Sequence, residues 1–447
     1  MKHVILVFAL LATAGAGRAQ FRVSSNHHFL LKDGKPFYWL GDTGWELLHR
    51  LNRHDAERYF KRRSEQGFTV IQTVVLAETD GLHTPNANGD LPLIQDDPLK
   101  PNEPYFRFLD TIIDLADQYH INIALLPTWG DKVYRDRWGI GPEIFTKENA
   151  AGYAFWLAGR YKNKTNIIWI LGGDRNPRNQ HDVDIWRAMG RAIKQATDQK
   201  AVISFHPQPN ETGSAEWFQQ DDWLDFNMFQ NGHCRDMAVY DKIQHDYNLV
   251  PAKPVLDGES LYEDHPVCFN AHDLGISSAY DVRQYAYLDV FAGAFGNTYG
   301  CHDVWQMYSP RFESVNGAHL FWQQAIELPG AIQMGYLRKL MESENLLDRI
   351  PDQSIIEEND LPASERIQAT RGKDYAFIYT AQGKPITVLL WKLNMPKLSA
   401  QWFDPRTGKF LPDSKILSTE KQRFDPPDTG YGQDWVLVLR EEKKISQ

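Results

Sequence analysis

Only three cysteines occur in the 447 residues, Cys234, Cys268 and Cys301, so at most one disulfide can form and one thiol is left over. Their spacing matches no metal-binding pattern, and buried free thiols are the expectation. Clustered positive charge is scarce as well. Lys61-Arg62-Arg63 is the one basic run, and it reads as the solvated face of a helix. With a formal charge of -10, the chain lacks the basic stripe that a nucleic-acid partner requires. Past the N-terminal residues no apolar run reaches membrane length, so no membrane span is expected. His-Glu-x-x-His is missing, and the first barrel-type strand carries no His-x-His, so no metal is expected to take part in chemistry. Gly172-Gly173 has no Lys-Ser/Thr after it, which excludes a phosphate loop, and no cofactor is expected. Repeats and low-complexity linkers are absent too.

What is present begins with residues 1–19, which read as an export signal. Lys2 and His3 form a short charged start, 4–14 an apolar stretch, and Gly17-Arg18-Ala19 a small-residue site with cleavage before Gln20. An exported protein, periplasmic or secreted from a bacterium, is the expectation. Aromatic residues are plentiful, with 14 Trp, 19 Tyr and 23 Phe. Flat indole and phenol faces suit stacking on sugars, but a large core takes the greater share of them.

Asp33-Gly34 between two apolar runs predicts a hairpin. From there short apolar strands alternate with amphipathic helical stretches. Strands are expected at 37–43, 70–76, 121–129, 166–174, 201–207, 225–233, 254–260 and 296–305. Helices are expected near 54–66, 104–120, 147–162, 181–198, 212–224, 236–248 and 278–294, with a long one near 317–346. Eight β-then-α repeats over about 300 residues imply an α/β fold of the (β/α)₈ TIM-barrel type. The loops 78–104 and 131–145 are longer than a connection needs and are expected to shape a pocket. After about residue 350 short strands and turn residues take over, near 374–380, 385–391, 400–403, 422–424 and 434–439. They imply a small all-β sandwich. The division read from this is a signal at 1–19, a barrel with its N-terminal hairpin at 20–348 and the sandwich, mainly structural, at 349–447.

In a parallel barrel, chemistry sits where strands end at their C-terminal side. Asp174 ends the fourth strand and Glu259 the seventh. Two carboxyl groups across one site are the minimum for cleaving a glycosidic bond, one giving a proton and one acting at the anomeric carbon. Asp174 is therefore the expected acid/base and Glu259 the expected nucleophile, with Asp257 and Asp303 as rival carboxylates. Other strand-end residues are candidate substrate contacts: Asp42, Trp45, Trp129, Asp131, Arg175, Asn176, His206, Gln230, Asn231, His302 and Trp305, with His233 beside them. A Gly-Gly-Asp turn can also be a plain helix cap, and the pairing across strands four and seven is what favours chemistry. A non-catalytic sugar-binding protein on a degenerate barrel is the competing reading.

The segments Tyr38-Trp-Leu-Gly-Asp-Thr-Gly-Trp45, Pro127-Thr-Trp-Gly130, Trp169-Ile-Leu-Gly-Gly-Asp-Arg-Asn176, Asp257-Gly-Glu-Ser260 and Trp402-Phe-Asp-Pro-Arg-Thr-Gly408 together resemble glycoside hydrolase family 140. The resemblance spans nearly all of the chain after the signal. It implies a barrel glycosidase with a C-terminal sandwich of a type labelled collagen-binding, a label that does not make collagen the ligand here. The family's Asp and Glu fall on Asp174 and Glu259. The resemblance further implies release of a terminal sugar, apiose being one candidate, from a plant pectic polysaccharide.

Overall fold

The computed structural model of the chain describes residues 21–210 and 212–442, and the export signal expected at 1–19 lies outside them. All eight expected barrel strands form. They are β1 (Trp39–Thr43), β2 (Val70–Val74), β3 (Asn122–Leu126), β4 (Ile167–Gly172), β5 (Ile203–His206), β6 (Asn227–Gln230), β7 (Val255–Glu259) and β8 (Gly296–Tyr299). The principal helices between and after them are α1 (Arg53–Gln66), α2 (Glu103–Gln118), α3 (Lys147–Tyr161), α4 (Gln180–Ala196), α5 (Ala215–Phe218), α6 (Val239–Tyr247), α7 (Ala279–Ala292) and α8 (Pro329–Glu342). Parallel pairing runs in the order β5-β4-β3-β2-β1-β8, and β6 pairs with β7. Hydrogen bonds also cross the two remaining seams. Asp225 N donates to Ile203 O at 2.8 Å, and Phe295 N to Val255 O at 3.1 Å.

Most barrel strands are buried on both faces, which is why they read as apolar runs. Trp39, Val70, Leu126, Ile168, Phe226, Met228 and Leu256 point inward and fill the barrel. Their alternates Leu40, Ile71, Leu125, Trp169, Phe205 and Phe229 point outward to the helices. The N-terminal three-stranded sheet (Phe21–Val23, Leu30–Lys32, Lys35–Phe37) adds Phe21 and Leu30 to the inner cluster. Its hairpin turns at Asp33 (φ 54) and Gly34 (φ 76), the left-handed pair that a two-residue turn demands.

Three expectations are corrected. The helix expected at 212–224 contracts to the four residues of α5: Gly213 is left-handed (φ 58) just before it, and Asp221 beyond it accepts from Arg187 Nε at 3.0 Å. The long helix near 317–346 is broken. Trp322–Ala325 forms a separate turn, and Pro329, lacking a backbone N–H, starts α8 afresh. Cys234 and Cys268 are bonded to each other, and only Cys301 is a buried free thiol. A separation of 34 residues gives no hint of that pairing. The loop after β7 folds back onto the one after β6, where Cys268 N donates to His233 O at 2.7 Å.

The C-terminal unit is an antiparallel sheet in the order β9 (Ile350–Pro351), β10 (Ile367–Arg371), β11 (Tyr375–Thr380), β16 (Trp435–Glu441), β13 (Leu398–Asp404), β14 (Lys409–Phe410). A second pair, β12 (Ile386–Val388) with β15 (Gln422–Phe424), completes the sandwich. β10 is not among the expected strands, since Gln368 and Thr370 are polar yet fully buried. The barrel meets this unit along α7. Tyr287 stacks on Tyr379 with centroids 4.9 Å apart, and Arg283 grips Asp434 in a buried bidentate pair.

Candidate active site

Gly172 (φ 85), Gly173 (φ 103) and Asp174 (φ 58) are three successive left-handed residues after β4. A Cβ at 172 would lie 2.2 Å from His206 O, and one at 173 would lie 2.8 Å from the Trp129 ring. Only glycine permits this bend, which lifts Asp174 over the mouth of the barrel. Trp138 Nε1 donates to Asp174 Oδ2 at 2.7 Å. The other oxygen, Oδ1, is buried with no hydrogen-bond partner among the described residues. Burial, and next the charge of Glu259, push the Asp174 carboxyl up to about 6.

Glu259 closes β7 just after a bulge. Phe229 pairs with Asp257 and Gln230 with Glu259, so Gly258 is the extra residue. The bulge turns the two acids to different tasks. Asp257 accepts from Asn231 Nδ2 at 2.8 Å and from Glu259 N at 3.1 Å, and so holds the backbone of its neighbour. Glu259 meets two imidazoles, His206 Nε2 3.1 Å from Oε2 and His233 Nε2 3.4 Å from Oε1. Burial alone would raise the Glu259 carboxyl, but the two histidines outweigh it and hold the group well below the usual range. His206 also joins the two strands, since its Nδ1 lies 3.5 Å from the N–H of Asp174.

Both acids line one cavity of about 480 Å³. Indoles of Trp45, Trp129, Trp138 and Trp305 share its walls with Gln230, His233, Tyr262 and His265. Trp45 Nε1 donates to Tyr262 OH at 2.9 Å, and this fixes both rings. A third carboxyl, Glu78, also opens onto the cavity. Burial, followed by Asp174 and Asp131, pushes it well above the ordinary carboxylate range. It favours the neutral form, which can donate a hydrogen bond.

Of the other expected contacts, Trp45, Trp129, Gln230 and Trp305 line this cavity, and His206 stands directly behind Glu259. Asn231 is taken up by Asp257. His302 lies behind Trp305, with Nε2 3.1 Å from Asn316 O. Four residues face elsewhere. Asp42 shares the parity of Leu40 on β1 and points outward to Tyr59 and to Arg63 Nε, at 2.6 Å from the latter. Asp131 is buried against Lys132 Nζ at 2.8 Å and accepts from Gly141 N at 2.8 Å. Arg175 ties down the Trp138 loop through the carbonyls of Tyr134 and Trp138. Asn176 Oδ1 accepts from Gln208 N at 3.0 Å and braces the loop after β5. Among the cavity residues not singled out from sequence, Glu78 and Trp138 come from the two long loops expected to shape a pocket. Tyr262, His265 and Phe269 come from the loop after β7, which carries no such signal.

Comparison with known proteins agrees with this architecture. Residues 24–348 match the family model described as "Apiosidase-like, catalytic domain". Residues 350–440 match "Putative collagen-binding domain of a collagenase". A solved glycoside hydrolase family 5 protein from Bacteroides vulgatus ATCC 8482 is 32% identical, with a TM-score of 0.86 over 96% of this chain and 95% of that one. A second structure, described as "Glycoside hydrolase", is also 32% identical, with a TM-score of 0.86 over 96% of this chain and 98% of that one. None of the curated proteins compared matches the chain. Among the described residues no helix is long and apolar enough to cross a membrane. The barrel, the paired strand-end acids and these matches lead to one conclusion: the chain belongs to the apiosidase-like family and is a glycoside hydrolase.

Proposed function

We propose that the protein is an exported, exo-acting, retaining glycosidase that removes a terminal sugar from a side chain of a plant pectic polysaccharide, with apiose as the first sugar to test. One observation carries the reading. Two acids facing a single cavity are biased in opposite directions, Asp174 up to about 6 and Glu259 below the usual range. Opposed environments are how paired carboxyl groups divide acid and nucleophile roles. In this scheme Asp174 gives its proton to the leaving glycosidic oxygen as that bond breaks. Glu259 forms the bond to the anomeric carbon. A water then attacks the same carbon, loses its proton to Asp174 and releases Glu259. His206 and His233 keep the nucleophile ionised, and the surrounding indoles offer apolar faces to the ring C–H groups.

Exo action is supported by the size of the cavity, about 480 Å³, which suits a terminal unit better than a long chain. Export is supported by residues 1–19 and by the Cys234–Cys268 bond, since disulfides persist in oxidising compartments. The sugar is supported by the family description alone. The test is incubation with pectic oligosaccharides bearing apiose, with the released monosaccharide identified and its first-formed anomer followed by proton NMR. Free apiose of retained configuration is expected. Inverted product would refute the nucleophile role of Glu259, and release of internal fragments only would refute exo action.

A further inference from the structure

Beside the cavity, three side chains from three separate segments converge. Asp264 comes from the loop after β7, Asp303 from the short turn after β8 (His302–Trp305), and His319 from the long loop that leads to α8. One potential ligand atom from each lies within 4.8 Å of the others. Asp303 is wholly buried. Its Oδ1 accepts from the backbone N–H groups of His319 at 2.7 Å and Leu320 at 2.9 Å. Its Oδ2 is sealed from solvent with no hydrogen-bond partner among the described residues, and Oδ2 of Asp264 is in the same state. His319 Nε2 stands 3.6 Å from that Asp264 oxygen. Two carboxyl groups brought together with orphaned oxygens need a positive charge or a shared proton between them.

We propose that Asp264, Asp303 and His319 form a binding site for a divalent cation of the Zn²⁺ or Mn²⁺ class, distinct from the paired acids Asp174 and Glu259. One imidazole with two carboxylate oxygens is a mixed donor set. Ca²⁺ and Mg²⁺ prefer oxygen alone, whereas Zn²⁺ and Mn²⁺ accept both donors. Ligands about 2.0–2.2 Å from one ion lie roughly 3–4 Å from each other, and the 3.6 Å between Asp264 and His319 fits that. The cation is structural. It clamps the loop bearing His319 onto the loop bearing Asp264. Val315 and Asn316 of the first loop line the catalytic cavity, and Asn316 O contacts His302 Nε2 at 3.1 Å. Occupancy therefore fixes one wall of the cavity.

The experiment is calorimetric titration of untagged, chelator-treated and dialysed protein with ZnCl₂ and, separately, with MnCl₂. Melting temperature is recorded in parallel. One equivalent of at least one cation is expected to bind and to raise the melting temperature, because it binds the folded state. His319→Ala, a change at a side chain 57% exposed and so compatible with folding, should weaken that binding by about tenfold or more. It should also abolish the thermal gain, and Asp264→Asn should do the same. Failure of both cations to bind at millimolar concentration would mean that a shared proton occupies the pair and would overturn the proposal. So would a His319→Ala protein that binds its equivalent as tightly as the parent.

Discussion

Asp174 and Glu259 differ by one methylene, yet their surroundings push them apart. The first carboxyl sits among indoles and accepts from Trp138, and the second sits between two imidazoles. Asp174→Asn and Glu259→Gln should each lower kcat by about 10³-fold or more while leaving the melting curve in place. Near-parental turnover of either variant would remove that residue from its role. The pH dependence has a definite sign. As the proposed acid, Asp174 works with its proton on, and with burial and Glu259 pushing its carboxyl up to about 6, kcat/KM should fall as pH rises through 6. Trp138 donates to the ionised form and so holds that value down. Trp138→Phe should therefore move the alkaline limb to higher pH. A limb that stays put, or moves down, would show that the indole does not act on the acid.

At the scale of elements, strand ends matter more than strands. Left-handed backbone at 172–174 and a bulge at Gly258 aim the two acids, and neither irregularity belongs to regular β structure. Loops do the rest. The Cys234–Cys268 bond ties the loop carrying His233 to the one carrying Phe269, which lines the cavity. Without reductant, the unfolded protein should expose one reactive thiol, Cys301, and with reductant three. Cys268→Ser should lower stability by about 2–4 kcal/mol and raise KM, as the Phe269 loop loosens. Three thiols without reductant would refute the bond.

At the scale of the whole molecule, the barrel and the sandwich share one apolar cluster, with Tyr287 and Phe291 of α7 packed among Phe377, Tyr379, Phe403 and Val438. Arg283 Nε donates to Asp434 Oδ2 at 3.0 Å within that buried interface. Asp434→Ala strands a guanidinium away from water and should cost about 3–5 kcal/mol, seen as a lower melting temperature by calorimetry. Replacing both partners, Arg283→Met with Asp434→Leu, should recover much of the loss, since no charge is then left alone. A double variant no better than the single one would show that the stranded charge is not the cause.

Hydrophobic runs, punctuated by glycine and carboxylate, were enough to define eight strands, most of their helices and the sandwich, and to single out Asp174 and Glu259, which line one cavity. These features are local, because most strands buried on both faces are rich in apolar residues and are followed by glycine or polar residues. The same double burial hides which side chains face inward. Asp42 is as strand-terminal as Asp174, yet its parity turns it out to Arg63. Only packing decided that Glu78 and Trp138 would reach the cavity and that Cys234 would meet Cys268. Each of these depends on contacts between segments far apart in the chain. The order of residues does not encode such meetings locally, and they exist only once the barrel has closed.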